Sequence, residues 1–276
     1  MAPRTRTRAV AEAVALGVLH GPAELLPISS SGHTELIPWL FGWDREALSA
    51  EQRKSFEVAL HAGTAAALLL ALRGEVLDAA RRGGPRLALL VSIATLPPAV
   101  VGYALEGPIE RRLGTPVSIA VGLILGGGAM AWADRSPQDR SADEAGILDA
   151  LLLGLGQACA LMPGVSRNGA TLTAARLRRF RRRDANRLSR HVALPVIAGA
   201  TTLRTIRLRR DGLQPGATGP FVAGAIASFV STLGSTRVIG AVERDGSLLP
   251  YSLYRAALGS LALRRAWRRR SVRVLV

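Results

Sequence analysis

The chain has 276 residues, with 36 basic against 20 acidic and a formal net charge of +16, yet 49% of its residues are hydrophobic. Long apolar runs alternate with short arginine-rich connections, the pattern of a multi-span membrane protein rather than of a water-soluble domain. Lys54 is the only lysine, and the arginines bracket apolar runs without an aromatic-interleaved basic face. This argues against a nucleic-acid partner and for contact with lipid phosphates at the membrane edge. The single Cys159 excludes an internal disulfide and reads as a small packing residue.

Taken in chain order, Arg4, Arg6 and Arg8 precede an apolar stretch, as in a signal peptide, but Glu12 interrupts it and a polar motif follows. The stretch is therefore read as retained structure. Segment 9–41 is apolar at both ends and broken in the middle by Pro, Gly and Ser. Candidate spans follow at 56–72, 86–105 and 115–133. Segment 146–177 is broken in the same manner as 9–41, and further spans are predicted at 188–203, 217–236 and 248–263. Non-helical backbone at membrane depth is tolerated only where protein buries it or water reaches it. Each broken segment therefore predicts a re-entrant helix pair with its polar motif at the tip.

Aligning Pro27 with Pro163 places Ser30 on Ser166, and His20 and Gln157 lie at similar distances upstream. Interrupted helices in corresponding places predict an internal inverted repeat, with the binding site where the breaks meet. The fold class expected is all-α: one polytopic membrane domain over 1–276, with halves at about 9–133 and 146–263. Arginines on both sides of the 188–203 span leave its orientation open.

The chemistry concentrates in the two breaks. In the first, Ser29, Ser30, Ser31 and Gly32 form a small turn whose N–H groups and hydroxyls can converge on a phosphate oxygen. His33 follows as a nucleophile or acid/base group, and Glu24 lies upstream, able to hold a divalent cation or orient the imidazole. A Ser-rich helix cap with a hydrogen-bonded His is the competing reading. In the second break, Arg167 is a fixed positive charge whose planar fork suits phosphate oxygens, and Ser166, Asn168 and Thr171 add neutral donors. Its competing reading is an ion pair with Glu24 or Glu57 and no ligand. Glu57 and His61 share a helix face, a spacing that suits a metal but more readily reads as interfacial snorkelling.

Residues 21–33 (Gly-Pro-Ala-Glu-Leu-Leu-Pro-Ile-Ser-Ser-Ser-Gly-His) resemble the first signature of the bacterial undecaprenyl-diphosphate phosphatases, the bacitracin-resistance family. Residues 163–171 (Pro-Gly-Val-Ser-Arg-Asn-Gly-Ala-Thr) resemble its second signature, and 56–64 a third, weaker block. The resemblance covers the chain to about residue 236. It implies a multi-pass enzyme of the bacterial plasma membrane that hydrolyses a polyprenyl (C55) diphosphate to the monophosphate, the lipid carrier of peptidoglycan synthesis. A divalent cation, Mg2+ or Ca2+, is implied. Glu24, Ser30, His33 and Arg167 would be catalytic, with Ser29, Ser31, Ser166, Asn168 and Thr171 around the phosphates.

Two departures stand out. His20 replaces the first Glu or Gln of the family's Glu/Gln-x-x-x-Glu motif, so the cation would meet Glu24 and His20; Asn168 replaces a serine. Imidazole suits Mg2+ less well than a carboxylate does. A lipid-carrier transporter or flippase that binds the head group without hydrolysis is the alternative function. The partners expected are the polyprenyl diphosphate and membrane lipids, and a homo-oligomer is compatible with this reading.

Overall fold

A computed structural model describes residues 6–43, 50–82, 84–212, 216–243 and 246–274. Arg4, grouped above with Arg6 and Arg8, lies outside them. Among the described residues the regular elements are helical, and the one β-contact is an isolated bridge between Arg140 and Phe180.

Both broken segments form helix pairs. Helix α1 (Arg6–Leu25) ends in a turn over 26–28, and α2 (Ser30–Phe41) starts after it. Helix α7 (Ile147–Cys159) ends before a turn through Pro163 and Gly164, and α8 (Arg167–Leu177) follows. The six expected spans fall in the long helices α3 (Ala50–Ala71), α5 (Gly84–Leu113), α6 (Pro116–Ala133), α9 (Arg182–Asp211), α10 (Thr218–Glu243) and α11 (Leu249–Val274). A short amphipathic helix, α4 (Arg73–Arg82), joins α3 to α5. Two stretches, Gly84–Leu105 and Pro116–Ala133, are long and apolar enough to cross a membrane.

Polarity is distributed inside out. His20, His33, Thr64, Thr171, Ser228, Thr232, Arg176 and Arg255 are buried, whereas Leu96, Val100, Leu125, Val222, Ile226 and Val230 face outward. Val222, Ile226 and Val230 recur every fourth residue and so form one apolar stripe on α10. Such outward stripes are costly in water but suit a lipid environment.

Three apolar clusters hold the helices. One joins α1, α3 and α10 through Leu16, Phe56, Leu60 and Phe221. A second joins α2, α6 and α11 through Leu36, Ile119, Leu123 and Leu258. The third gathers Leu153, Leu172 and Leu188 of α7, α8 and α9 with Met130 of α6. In contact terms α1 packs on α10, α7 on α5, and α6 on α11.

Close approach explains why α1, α3 and α10 bring polar groups together. A Cβ on Gly21 would stand 2.5 Å from the Thr232 backbone nitrogen, and one on Gly63 would overlap the Ala225 carbonyl. Their neighbours His20 and Thr64 are thereby drawn against α10.

At the rim, Asp134 caps the end of α6 and gathers charge. Arg182 binds its carboxylate through two nitrogens at 2.8 and 3.0 Å, and the Leu248 N–H and Ser247 hydroxyl donate to it at 2.9 and 3.1 Å. The buried Arg176 lies 3.4 Å from the same carboxylate and donates to the carbonyls of Asp134, Ser136, Pro137 and Phe180. Burial pushes the Asp134 carboxyl up, but the bonds from Arg182, Leu248 and Ser247 outweigh it and hold it below the usual carboxylate range.

Candidate active site

The two turns share one construction. Ser29 and Ser166 each take a positive φ, 76° and 69°, and each caps the following helix by accepting a hydrogen bond from the backbone N–H three residues on, Gly32 at 3.2 Å and Gly169 at 3.1 Å. Four amides at a helix N-terminus lack intrahelical partners, and a serine hydroxyl satisfies one. The Thr34 hydroxyl donates to the Ser31 carbonyl and the Thr171 hydroxyl to the Asn168 carbonyl, both at 3.1 Å. Ser29 and not Ser30 therefore corresponds to Ser166, which corrects the Pro27–Pro163 alignment by one residue. The cap geometry recurs, while the stretch between proline and cap is one residue longer in the second turn. In the corrected register His20 corresponds to Gln157 and Ser30 to Arg167.

The turns meet. Arg167 donates to Glu24 Oε1 at 2.5 Å, and Asn168 Nδ2 donates to the Leu25 carbonyl at 2.9 Å. Glu24 Oε2 accepts from the Ser30 hydroxyl at 2.5 Å. Glu24, Ser30, Arg167 and Asn168 thus form one cluster from α1, α2 and α8. The ion pair considered for Arg167 exists, and it forms within the same cluster. Ser31 Oγ lies 3.4 Å from Ser29 Oγ. The hydroxyls of Ser29 and Ser166 are engaged as caps, and that of Thr171 contacts Ser189 Oγ at 2.5 Å, so these three shape the turns.

His33 is fully buried. Its Nδ1 lies 2.7 Å from the Ser29 carbonyl, and its Nε2 lies 2.7 Å from the Tyr254 hydroxyl. A carbonyl only accepts, so Nδ1 carries the proton, and neutral Nε2 accepts from Tyr254. The two rings are parallel within 7°, with centroids 5.5 Å apart.

Sequence reasoning passed over Tyr254 and its neighbour Arg255. Arg255 is fully buried without a carboxylate among its bonds; it donates to the carbonyls of Val165 at 2.6 Å, Gly164 at 3.2 Å and Pro27 at 3.4 Å. One guanidinium from α11 therefore ties both turns together. The available signal was a charge inside the apolar stretch 248–263.

His61 turns inward rather than snorkelling. Its Nδ1 lies 3.8 Å from Glu24 Oε2 and its Nε2 3.9 Å from Glu57. His20 packs edge-on against it, centroids 4.5 Å apart, and one ligand atom from each of His20, Glu24 and His61 lies within 4.8 Å of the others.

The arrangement presents a fixed cation, two helix N-termini, an oriented hydroxyl, a carboxylate and two imidazole groups in one place, a set suited to a phosphoryl group. Residues 13–261 match the model of the family described as bacitracin resistance protein BacA, which extends the likeness past residue 236 to include Tyr254 and Arg255. An undecaprenyl-diphosphatase of Geobacter sulfurreducens is 38% identical, aligned over 92% of this chain and 97% of its own length. One of Chromohalobacter salexigens is 40% identical over 91% and 96%, and one of Moorella thermoacetica 33% identical over 95% and 99%. Motifs, paired turns and near full-length similarity agree: the chain belongs to the BacA bacitracin-resistance family.

Proposed function

We propose that this protein hydrolyses undecaprenyl diphosphate to undecaprenyl phosphate and inorganic phosphate, as a multi-pass enzyme of the bacterial plasma membrane supplying lipid carrier for peptidoglycan synthesis. The observation that carries this reading is the Glu24–Arg167 pair, which joins two turns 143 residues apart around an oriented serine. The α1–α2 and α7–α8 pairs are proposed as re-entrant elements of an inverted repeat. The shared cap of Ser29 and Ser166, and the exchanged packing of α1 on α10 and α7 on α5, support that proposal.

The residues divide the chemistry as follows. The substrate's terminal phosphate draws the Arg167 fork from Glu24 onto its own oxygens, which frees a Glu24 oxygen to accept a proton. Ser30 Oγ attacks the terminal phosphorus and gives its proton to Glu24; the bond from phosphorus to the bridging oxygen breaks, and the lipid monophosphate leaves. Water then attacks the phosphoserine, one of its protons passing to the Tyr254 hydroxyl as that hydroxyl gives its own proton to His33 Nε2, and Ser30 Oγ departs, regaining its proton from Glu24. Backbone N–H groups at the starts of α2 and α8, with Ser29, Ser31, Ser166, Asn168 and Thr171 shaping the turns, hold the phosphate oxygens.

A divalent cation is proposed beside Glu24. The donors fit one, because His20 Nε2 is buried without a hydrogen-bond partner among the described residues, next to a carboxylate and a second imidazole. When bound, the cation neutralises charge on the phosphoryl oxygens.

The test is phosphate release from C55 diphosphate by purified protein in detergent, with phosphoserine at Ser30 trapped by acid quench and detected by mass spectrometry. Wild-type turnover in Ser30→Ala sinks the nucleophile assignment. No release by the wild-type chain at any divalent cation sinks the activity.

A further inference from the structure

We propose that His20, Glu24 and His61 bind a transition-metal dication of the Fe2+ to Zn2+ series in preference to Mg2+ or Ca2+. The proposal rests on the phosphatase reading for the cation's purpose, but not for its binding.

The argument starts from His20. It is fully buried, its Nδ1 lies 2.9 Å from Thr64 Oγ1, and its Nε2 has no hydrogen-bond partner among the described residues. Two hydroxyls face Nδ1, Thr64 Oγ1 and, at 3.3 Å, Ser228 Oγ, and the shorter bonds these hydroxyls make elsewhere assign the proton to Nδ1. Ser228 Oγ donates to the Leu60 carbonyl at 3.0 Å, which commits its only proton. The Thr64 hydroxyl, 2.7 Å from Ser228 Oγ, therefore donates to Ser228. Thr64 Oγ1 is left to accept from His20 Nδ1–H. The chain of donors runs from imidazole to Thr64 to Ser228 to a carbonyl, so Nε2 is a bare lone pair. A buried acceptor without a donor is costly, and a cation satisfies it.

The other two donors converge on the same place. Glu24 Oε1 is occupied by Arg167, but Oε2 carries more than the one lone pair used by Ser30 and lies 3.8 Å from His61 Nδ1. A carboxylate stands behind His61, with Glu57 3.9 Å from its Nε2, the kind of support that raises a ligand imidazole's basicity. Two imidazoles and one carboxylate on one side of a pocket suit borderline dications. Mg2+ and Ca2+ demand mostly oxygen donors. Because two of the three donors are imidazoles, the preference follows from this chain's own residues.

The experiment uses full-length protein in detergent, carrying no polyhistidine tag, stripped of metal and free of substrate. Co2+ is titrated and followed by its visible ligand-field bands. The expected result is one Co2+ per chain, displaced by stoichiometric Zn2+ and retained against a roughly thousandfold excess of Mg2+ or Ca2+. Thr64→Val, which removes the acceptor facing His20 Nδ1 together with the bond to Ser228, should weaken Co2+ about 10- to 100-fold. His20→Glu, which replaces an imidazole donor by a carboxylate, should lose most Co2+ affinity and gain Mg2+ binding. Displacement by Mg2+ at concentrations comparable to Co2+, or wild-type Co2+ binding in His20→Glu, overturns the proposal. Absence of any Co2+ binding does so as well. Because no substrate is present, metal binding without phosphate release would sink only the phosphatase reading, and phosphate release without Co2+ binding only this one.

Discussion

The two turns are alike in backbone and unlike in side chains. Both place a serine of positive φ at the cap, a glycine three residues later and a threonine two after that. Past the cap, one offers Ser30, Ser31 and His33, and the other Arg167, Asn168 and Ala170. The difference teaches that the common part builds two helix N-termini that meet at Glu24, while the hydroxyls and the histidine lie on one turn and the guanidinium on the other. Neither turn is a site by itself; Glu24, at the end of α1, is where they join.

The largest effect should come from the residue peculiar to the second turn. Arg167→Ala is expected to lower phosphate release about 10³-fold or more, the scale of a guanidinium on a phosphoryl transition state, and Arg167→Lys should recover little of it because one ammonium cannot replace the fork. A near-normal kcat in Arg167→Ala would leave the second turn as scaffold only. His33→Ala, which removes the imidazole proposed as the base, should cost about 10²- to 10⁴-fold. If the two variants combined lose no more than one alone, the turns act as a unit.

Tyr254→Phe sharpens the contrast, since it keeps the ring stacked on His33 and removes only the hydroxyl on Nε2. Loss of one hydrogen bond to a buried group predicts about a tenfold fall in kcat with KM little changed. A rise in KM alone would show that Tyr254 serves substrate binding instead.

The caps test what the turns share. Ser29→Ala and Ser166→Ala remove the capping oxygen while keeping a side chain at positive φ, and each should destabilise by about 1–2 kcal/mol. The glycine variants should cost far less, because glycine accepts that φ. Denaturation midpoints that move at one turn and not the other would break the equivalence.

The smallest effect lies outside both turns. The folded-state pKa of Asp134 is depressed, so its stabilisation is full above its unfolded value of about 4 and is lost as pH falls through the folded value. Acid unfolding should begin at higher pH in Arg182→Ala, and by the same increment in either cap variant.

Much of this was legible in the chain. Apolar runs, Pro/Gly breaks and the Glu24, Ser30, His33 and Arg167 residue types are local facts, and the helices fall where those runs lie. The two turns align on their cap serines, one residue away from the alignment on proline, because proline is the visible mark in the sequence while the cap hydroxyl sets the geometry. His61 looked interfacial because a Glu–His pair on one helix face says nothing about what packs against it.

By itself, then, the sequence determined helix positions, the two interruptions and the groups available for phosphate chemistry, since these follow from composition and short-range periodicity. Tertiary structure alone decided that Tyr254 meets His33 across 221 residues, that Arg255 binds both turns, and that His20 packs against Thr64 and Ser228 with its Nε2 buried and unpartnered among the described residues. Those outcomes depend on how closely α10 and α11 approach the broken helices. That distance is set by which small residues face each other across an interface, and such pairings leave no mark within either segment.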